Sequence, residues 1–165
     1  MIAPSEVGAA AKRLEKENLR FRRFLKNRAD CDELDQQFLK LHQELFAQYD
    51  CRECRNCCRA YNIELDEQEI DSIAAFLSMD KQQFIDTQLV PGTTGGHEIA
   101  SPCRFLHPDG SCELESCKPQ ECRGFPYTDR PERLFSLFSI LSSAEVCPVV
   151  FELLERLKDI YHFRR

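Results

Sequence analysis

The sequence predicts a mainly α-helical protein in which helices flank a cysteine-rich loop and a short β-hairpin. Apolar residues recur at helical spacing toward both ends of the 165-residue chain. Eight of the ten cysteines lie between residues 51 and 122. The turn sequence at residues 108–110 separates two of these cysteines and predicts the hairpin.

The composition allows one modest hydrophobic core. Hydrophobic residues make up 42% of the chain, and about 36% remain when the ten cysteines are set aside.

The net charge of −6 and the absence of a long apolar run argue against a membrane span and against a globally basic nucleic-acid-binding protein. The first residues lack the apolar segment of a signal peptide, so we expect a cytoplasmic protein. In that reducing compartment, clustered cysteines favour metal binding over disulfides.

Residues 1–49 are predicted to form a helical hairpin extension ahead of a cysteine-cluster domain at residues 50–165. A polar connection at residues 27–30 separates two stripes of apolar residues at helical spacing. Eight basic and two acidic residues between positions 12 and 28 give a local charge of +6, which leaves −12 for the remainder. The concentration of basic residues predicts that the first helix presents a solvated face. The alternatives are binding of an acidic protein partner, of the protein's own acidic remainder, or of nucleic acid, which we do not expect.

A short strand and four more helices are predicted after residue 60. Residues 61–65 alternate in polarity, and Asp66 and Asp80 each begin a helix with a capping pattern. The glycine-rich residues 91–96 predict a linker or lid. The apolar stripes of the last two helices comprise Leu134, Leu137, Phe138 and Leu141, and Val150, Leu154, Leu157 and Tyr161.

The C-x2-C-x2-C-C pattern at residues 51–58 is the most informative motif. A two-residue gap lets a tight turn direct two thiolates at one metal, and core packing alone seldom places four cysteines within eight residues. Cys57 and Cys58 are adjacent and cannot easily bind one mononuclear site together. Downstream, a hairpin at residues 108–110 would bring Cys112 back beside Cys103, and Cys122 is followed by a basic Arg123.

These segments, with Cys147 and Pro148, resemble the CxxCxxCC cysteine-cluster family. That family is described as a zinc- or iron-chelating domain and is similar to the cysteine-rich part of bacterial flagellin lysine methylase. The resemblance covers residues 51–150, and it does not include Cys31 or Cys117. It implies eight metal ligands, namely Cys51, Cys54, Cys57, Cys58, Cys103, Cys112, Cys122 and Cys147.

The ligand spacing leaves the metal and the reaction open. The C-x2-C-x2-C run favours an iron–sulfur cluster over zinc, which more often takes separated C-x2-C pairs. One division gives Cys58, Cys103, Cys112 and Cys122 to one site and the other four ligands to a second. The loop histidines His97 and His107 are expected to be solvated.

We therefore expect a metal-binding protein that acts in redox chemistry or protein modification. The alternatives are a zinc-stabilised interaction module without catalysis and, on family analogy alone, a component of protein lysine methylation.

Overall fold

The computed structural model describes residues 1–164 and confirms the predicted mainly α-helical fold. None of the helices within this range combines the length and apolarity that crossing a bilayer requires. A short 3-10 helix also spans Glu115–Cys117. In chain order the elements are α1 (Val7–Arg28), α2 (Cys31–Phe46), α3 (Cys51–Cys54), α4 (Asn56–Ala60), β1 (Ile63–Leu65), α5 (Glu67–Phe76), α6 (Lys81–Gln88), β2 (Val90–Pro91), β3 (His97–Ile99), α7 (Gln120–Gly124), α8 (Arg133–Ala144) and α9 (Pro148–Ile160).

The chain folds as two compact units. We call the first the helical unit; it combines Met1–Asp50 with the segment from Pro126 onward. The second, the cysteine unit, is Cys51–Phe125. This division differs from the predicted one, which left α8 and α9 in the cysteine-cluster domain. The physical reason is that the apolar faces of α1 and α2 are buried against α8 and α9, since a two-helix hairpin alone cannot enclose a core.

Side-chain caps set the helix boundaries of the helical unit. The Asp30 carboxylate accepts the backbone N–H groups of Asp32 and Glu33, both at 3.0 Å, and so begins α2 one residue after the predicted connection. The fully buried side chains include Phe21, Leu25, Leu34, Phe38, Val149, Leu153 and Leu157. The two predicted N-terminal helices are thus present, and their core is shared with the C-terminal pair.

The predicted apolar stripe of α8 is only partly correct. Leu137 is buried, but Phe138 is 62% exposed and Phe135 is 73% exposed. The buried face instead runs through Arg133, Leu137 and Ile140. Arg133 fixes this rotation because its guanidinium donates hydrogen bonds to the carbonyls of residues 127 and 131.

The cysteine unit contains a small antiparallel sheet with strand order β1-β3-β2. Ile63 pairs with Ile99, which confirms the strand predicted near residues 61–65. The predicted linker or lid at residues 91–96 is instead the turn of the β2–β3 hairpin, in which the Gly92 N–H donates to the Gly96 carbonyl at 2.8 Å. The sequence did not predict β3, because its three residues, His97–Ile99, show no alternation of polar and apolar side chains.

Helices α5 and α6 begin at the residues that the sequence predicts. Asp66 and Glu69 form a complete capping box at the start of α5, and Asp80 caps α6. Both helices bury apolar residues against the sheet, together with Phe105 and Leu114. Cys103, Cys112 and Cys117 pack at the edge of this core, so the cysteines supplement a small hydrophobic interior.

Candidate metal centre

The C-x2-C-x2-C-C segment folds as two very short helices, α3 and α4, joined at Arg55. Arg55 takes left-handed backbone angles, φ 52° and ψ 22°, which are unfavourable for any residue with a Cβ. Its N–H donates to the Cys51 carbonyl at 3.1 Å and closes the first turn. Because Arg55 interrupts the helix, Cys51 and Cys54 lie on α3, whereas Cys57 and Cys58 lie on α4.

The predicted hairpin is present at residues 107–110. The Gly110 N–H donates to the His107 carbonyl at 3.0 Å, and the His107 N–H donates to Ser111 at 2.9 Å. Leu106 and Cys112 form an antiparallel bridge across it. Cys112 therefore lies opposite Leu106, three residues along the same ribbon from Cys103.

Backbone contacts join the hairpin to the first cysteine cluster. The Cys103 N–H donates to the Cys58 carbonyl at 2.7 Å, and the Arg55 Nε–H donates to the Gly110 carbonyl at 2.6 Å. Gly110 has φ 84°, and a Cβ at this position would lie 2.5 Å from the Arg52 carbonyl oxygen. Only glycine fits between the hairpin and the first cluster at this point.

Neighbouring thiols raise the pKa of two cysteines in this unit, Cys103 and Cys122. Burial raises the pKa of Cys103, and the neighbouring Cys58 and Cys112 raise it further. Burial raises the pKa of the Cys122 thiol on α7 to about 12, with further contributions from Cys58, Cys103 and Cys112. The charges of Cys58 and Cys112 thus act on both Cys103 and Cys122.

Cys58 differs from Cys103 and Cys122 because its thiolate is favoured. A hydrogen bond from the Cys57 side chain lowers the pKa of Cys58 to about 6, against the opposing effect of its burial. The charges of Arg55 and Lys118 lower it as well. A cysteine with a pKa near 6 is largely ionised at neutral pH, which is the form that binds a metal.

A buried cation without a complete set of acceptors lies beside these thiols. The Arg55 side chain is 7% exposed, and its Nη2 has no hydrogen-bond partner within the described chain. Four thiolates around a zinc or iron ion carry more negative charge than the ion neutralises, so a bound centre would need nearby donors and positive charge. The donor set and the unpaired guanidinium nitrogen both fit a thiolate-bound metal.

A comparison with protein families bears on the same segment. A family model, CxxCxxCC, described as a "putative zinc- or iron-chelating domain", matches residues 50–148. The chain belongs to the CxxCxxCC family. No curated protein and no solved structure matches the chain. The CxxCxxCC match supports zinc or iron as the metal and includes all eight predicted ligands, whereas the similarity to flagellin lysine methylase stays a prediction.

The remaining cysteines of the CxxCxxCC domain occupy several environments. Cys51 is exposed, Cys54 and Cys57 are half-buried, and Cys147 is buried at the start of α9 in the helical unit. All ten cysteines of the chain are in the thiol form. Across residues 1–164, no three His, Cys, Asp or Glu side chains converge closely enough to hold a metal ion without rearrangement.

Sequence reasoning missed Arg55, and it placed Gly110 in a turn without predicting its contact with Arg55. Arg55 and Gly110 form the contact between motif and hairpin, and Lys118 supplies positive charge near Cys58 and Cys122. A signal for Arg55 was its place inside a tight cysteine turn, where a left-handed residue is common. Cys117, which the sequence left unassigned, lies near Cys112, whose charge raises the pKa of Cys117 after the larger effect of burial.

The two loop histidines lie apart from this group. His97 begins β3, and His107 is exposed in the hairpin turn, where it lowers the pKa of Asp109 less than Ser111 does. The exposed His107 agrees with the expected solvated environment, whereas His97 is half-buried in a strand.

Proposed function

We propose that this protein binds zinc or an iron–sulfur cluster through the thiolates of Cys58, Cys103, Cys112 and Cys122. The observations that support this assignment are that Cys58 and Cys112 raise the pKa of both Cys103 and Cys122, and that the buried Arg55 lies beside Cys58. The bound metal would link α4, the hairpin and α7, which are short elements with few apolar contacts of their own. Cys51, Cys54, Cys57 and Cys147 remain predicted ligands.

Single cysteine substitutions test the ligand assignment. Cys112→Ser should lower the metal content of the purified protein, because serine is a much poorer ligand for zinc or iron than a thiolate. The matched control is Cys31→Ser, which changes an exposed thiol at the start of α2. Metal per chain is measured by elemental analysis after anaerobic purification. Equal metal loss in the two variants would refute the assignment.

The colour of the same preparation distinguishes the two metals. An iron–sulfur cluster gives a brown protein with broad absorbance at about 400 nm, whereas stoichiometric zinc gives a colourless one. An iron–sulfur cluster would suit a redox or protein-modification role, and zinc would suit a structural module. A cytoplasmic location, which the sequence predicts, would keep the cysteines reduced.

The second candidate function is an interaction module that binds an acidic partner. Phe135 and Phe138 of α8 are exposed, and Phe138 lines a shallow cavity with Leu19 of α1. The Arg22 guanidinium lies 5.5 Å from the centre of the Phe138 ring. Exposed aromatic residues bordered by arginine are typical of protein-binding surfaces. The +6 charge of α1 complements an acidic amphipathic helix, which would set its apolar residues on these side chains.

Point substitutions test this surface. The double variant Phe135→Ser, Phe138→Ser should weaken binding of a labelled amphipathic Glu/Leu peptide, measured by fluorescence anisotropy, while metal content stays unchanged. Deleting residues 1–45 is unsuitable, because it would expose the core that α1 and α2 share with α8 and α9. Binding of a Lys/Leu peptide of the same length serves as the control. If both peptides bind equally, or neither does, the charge argument fails.

A further inference from the structure

Two features of Arg55 destabilise the folded chain, and its contacts within the chain do not explain why they are present. Left-handed backbone angles are unfavourable for a residue with a Cβ, and glycine would adopt them readily. The side chain is also almost fully buried, and a buried guanidinium nitrogen without an acceptor is destabilising. Glycine at residue 55 would remove both costs at once.

Arg55 hydrogen-bonds to the Cys58 side chain and lowers the pKa of Cys58, but the Arg55 Nη2 has no acceptor within the described chain. Its Nε–H donates to the Gly110 carbonyl, a neutral acceptor. Glu115 is near enough for Arg55 to lower its pKa slightly, but the Glu115 carboxylate pairs with Lys118 at 3.0 Å. What lies beside Arg55 instead is the thiol of Cys58. An anionic group beside Arg55 would therefore supply the missing hydrogen-bond acceptor and balance the guanidinium charge.

We propose that Arg55 is the positioning residue of the metal–thiolate centre. It anchors the Cys51–Cys58 turn to the hairpin through Gly110, and its remaining N–H groups donate to the sulfur atoms of the bound centre and offset their negative charge. Guanidinium suits this role because its donors lie in one rigid plane, so that one can hold the Gly110 carbonyl while others reach a neighbouring sulfur. This inference rests on the proposed metal binding.

The experiment compares four forms of the full chain, namely wild type, Arg55→Gly, Arg55→Lys and Arg104→Ala. Arg104 is a matched control, since it is an exposed arginine of the same unit and donates to the Thr87 carbonyl. Zinc affinity is measured by competition with a chromogenic chelator, and Co²⁺ loading gives the sulfur-to-cobalt charge-transfer absorbance. The thermal stability of each metal-free chain is measured in parallel.

We expect Arg55→Gly to bind zinc roughly 10–100-fold more weakly, in the range found for residues that support metal ligands. Its metal-free form should be at least as stable as the wild type, because glycine accepts the left-handed angles. Arg55→Lys should recover part of the affinity through its charge, and Arg104→Ala should match the wild type.

The outcomes separate this inference from the function on which it rests. If wild-type protein bound neither zinc nor cobalt through sulfur, the proposed function would fail and the role of Arg55 with it. If wild type bound tightly and Arg55→Gly bound equally well, only the role of Arg55 would be overturned. Should Arg55→Gly lose metal-free stability, Arg55→Lys decides: a folded Lys variant that binds no better than the Gly variant overturns the role.

Discussion

At the scale of single residues, the candidate site depends on two unusual backbone conformations that meet each other. Arg55 and Gly110 both have positive φ, and a hydrogen bond of 2.6 Å joins the Arg55 Nε–H to the Gly110 carbonyl. The contact is tight, since there is no space for a Cβ at residue 110. A side chain at residue 110 should therefore disturb the approach of the hairpin to the first cysteine cluster.

Gly110→Ala should destabilise the protein by roughly 2 kcal/mol or more, because it combines an unfavourable φ with a backbone clash. The matched control is Gly95→Ala, where φ is also positive but no atom lies within 4 Å of the added Cβ. Urea denaturation of both variants measures the difference. Equal destabilisation would show that the hairpin does not contact the first cluster as described.

At the scale of secondary structure, side chains from one element fix the ends of another. The Asp35 carboxylate on α2 accepts the backbone N–H groups of Glu132 and Arg133 at 2.6 Å and 2.8 Å. These N–H groups lie at the start of α8. The N-cap residue of this helix, Glu132, provides no side-chain cap of its own. A carboxylate at a helix N-terminus also interacts favourably with the helix dipole.

Asp35→Ala should lower the free energy of unfolding by about 0.5–2 kcal/mol, the range for loss of a helix cap. The control is Gln36→Ala, an exposed position on the same helix. Circular dichroism during urea denaturation gives both values, and metal content should stay at the wild-type level. Loss of metal in Asp35→Ala would contradict the assignment of the ligands to the cysteine unit.

At the scale of the whole molecule, metal binding should contribute to stability because the cysteines lie at the edge of a small core. A strong chelator should lower the melting temperature, and added zinc should restore it. Free metal at 100 times its dissociation constant would add about 2.7 kcal/mol. The same treatment should have little effect on Cys112→Ser. An identical melting curve with and without chelator would rule out a stabilising metal.

The sequence predicted much of the fold because the strongest signals are local. Helical spacing and capping residues located α1, α2, α5 and α6, and the turn sequence located the hairpin. The strand β3 was missed because His97 and Glu98 are both polar, so its residues do not alternate in polarity as those around β1 do. The buried face of α8 was also misjudged, because its rotation depends on the carbonyls that surround Arg133.

The sequence by itself determined the family and its chemistry, since ligand type and spacing are properties of the chain. Only the tertiary structure decided which cysteines share an environment and what surrounds them. Cys58 and Cys122 are 64 positions apart, a span that no local pattern connects. The backbone bond from Cys103 to Cys58 and the contact of Arg55 with Gly110 join the hairpin to the first cysteine cluster, and α7, which carries Cys122, contacts β1. Such contacts arise from packing between distant segments, and they place a buried cation beside the thiols.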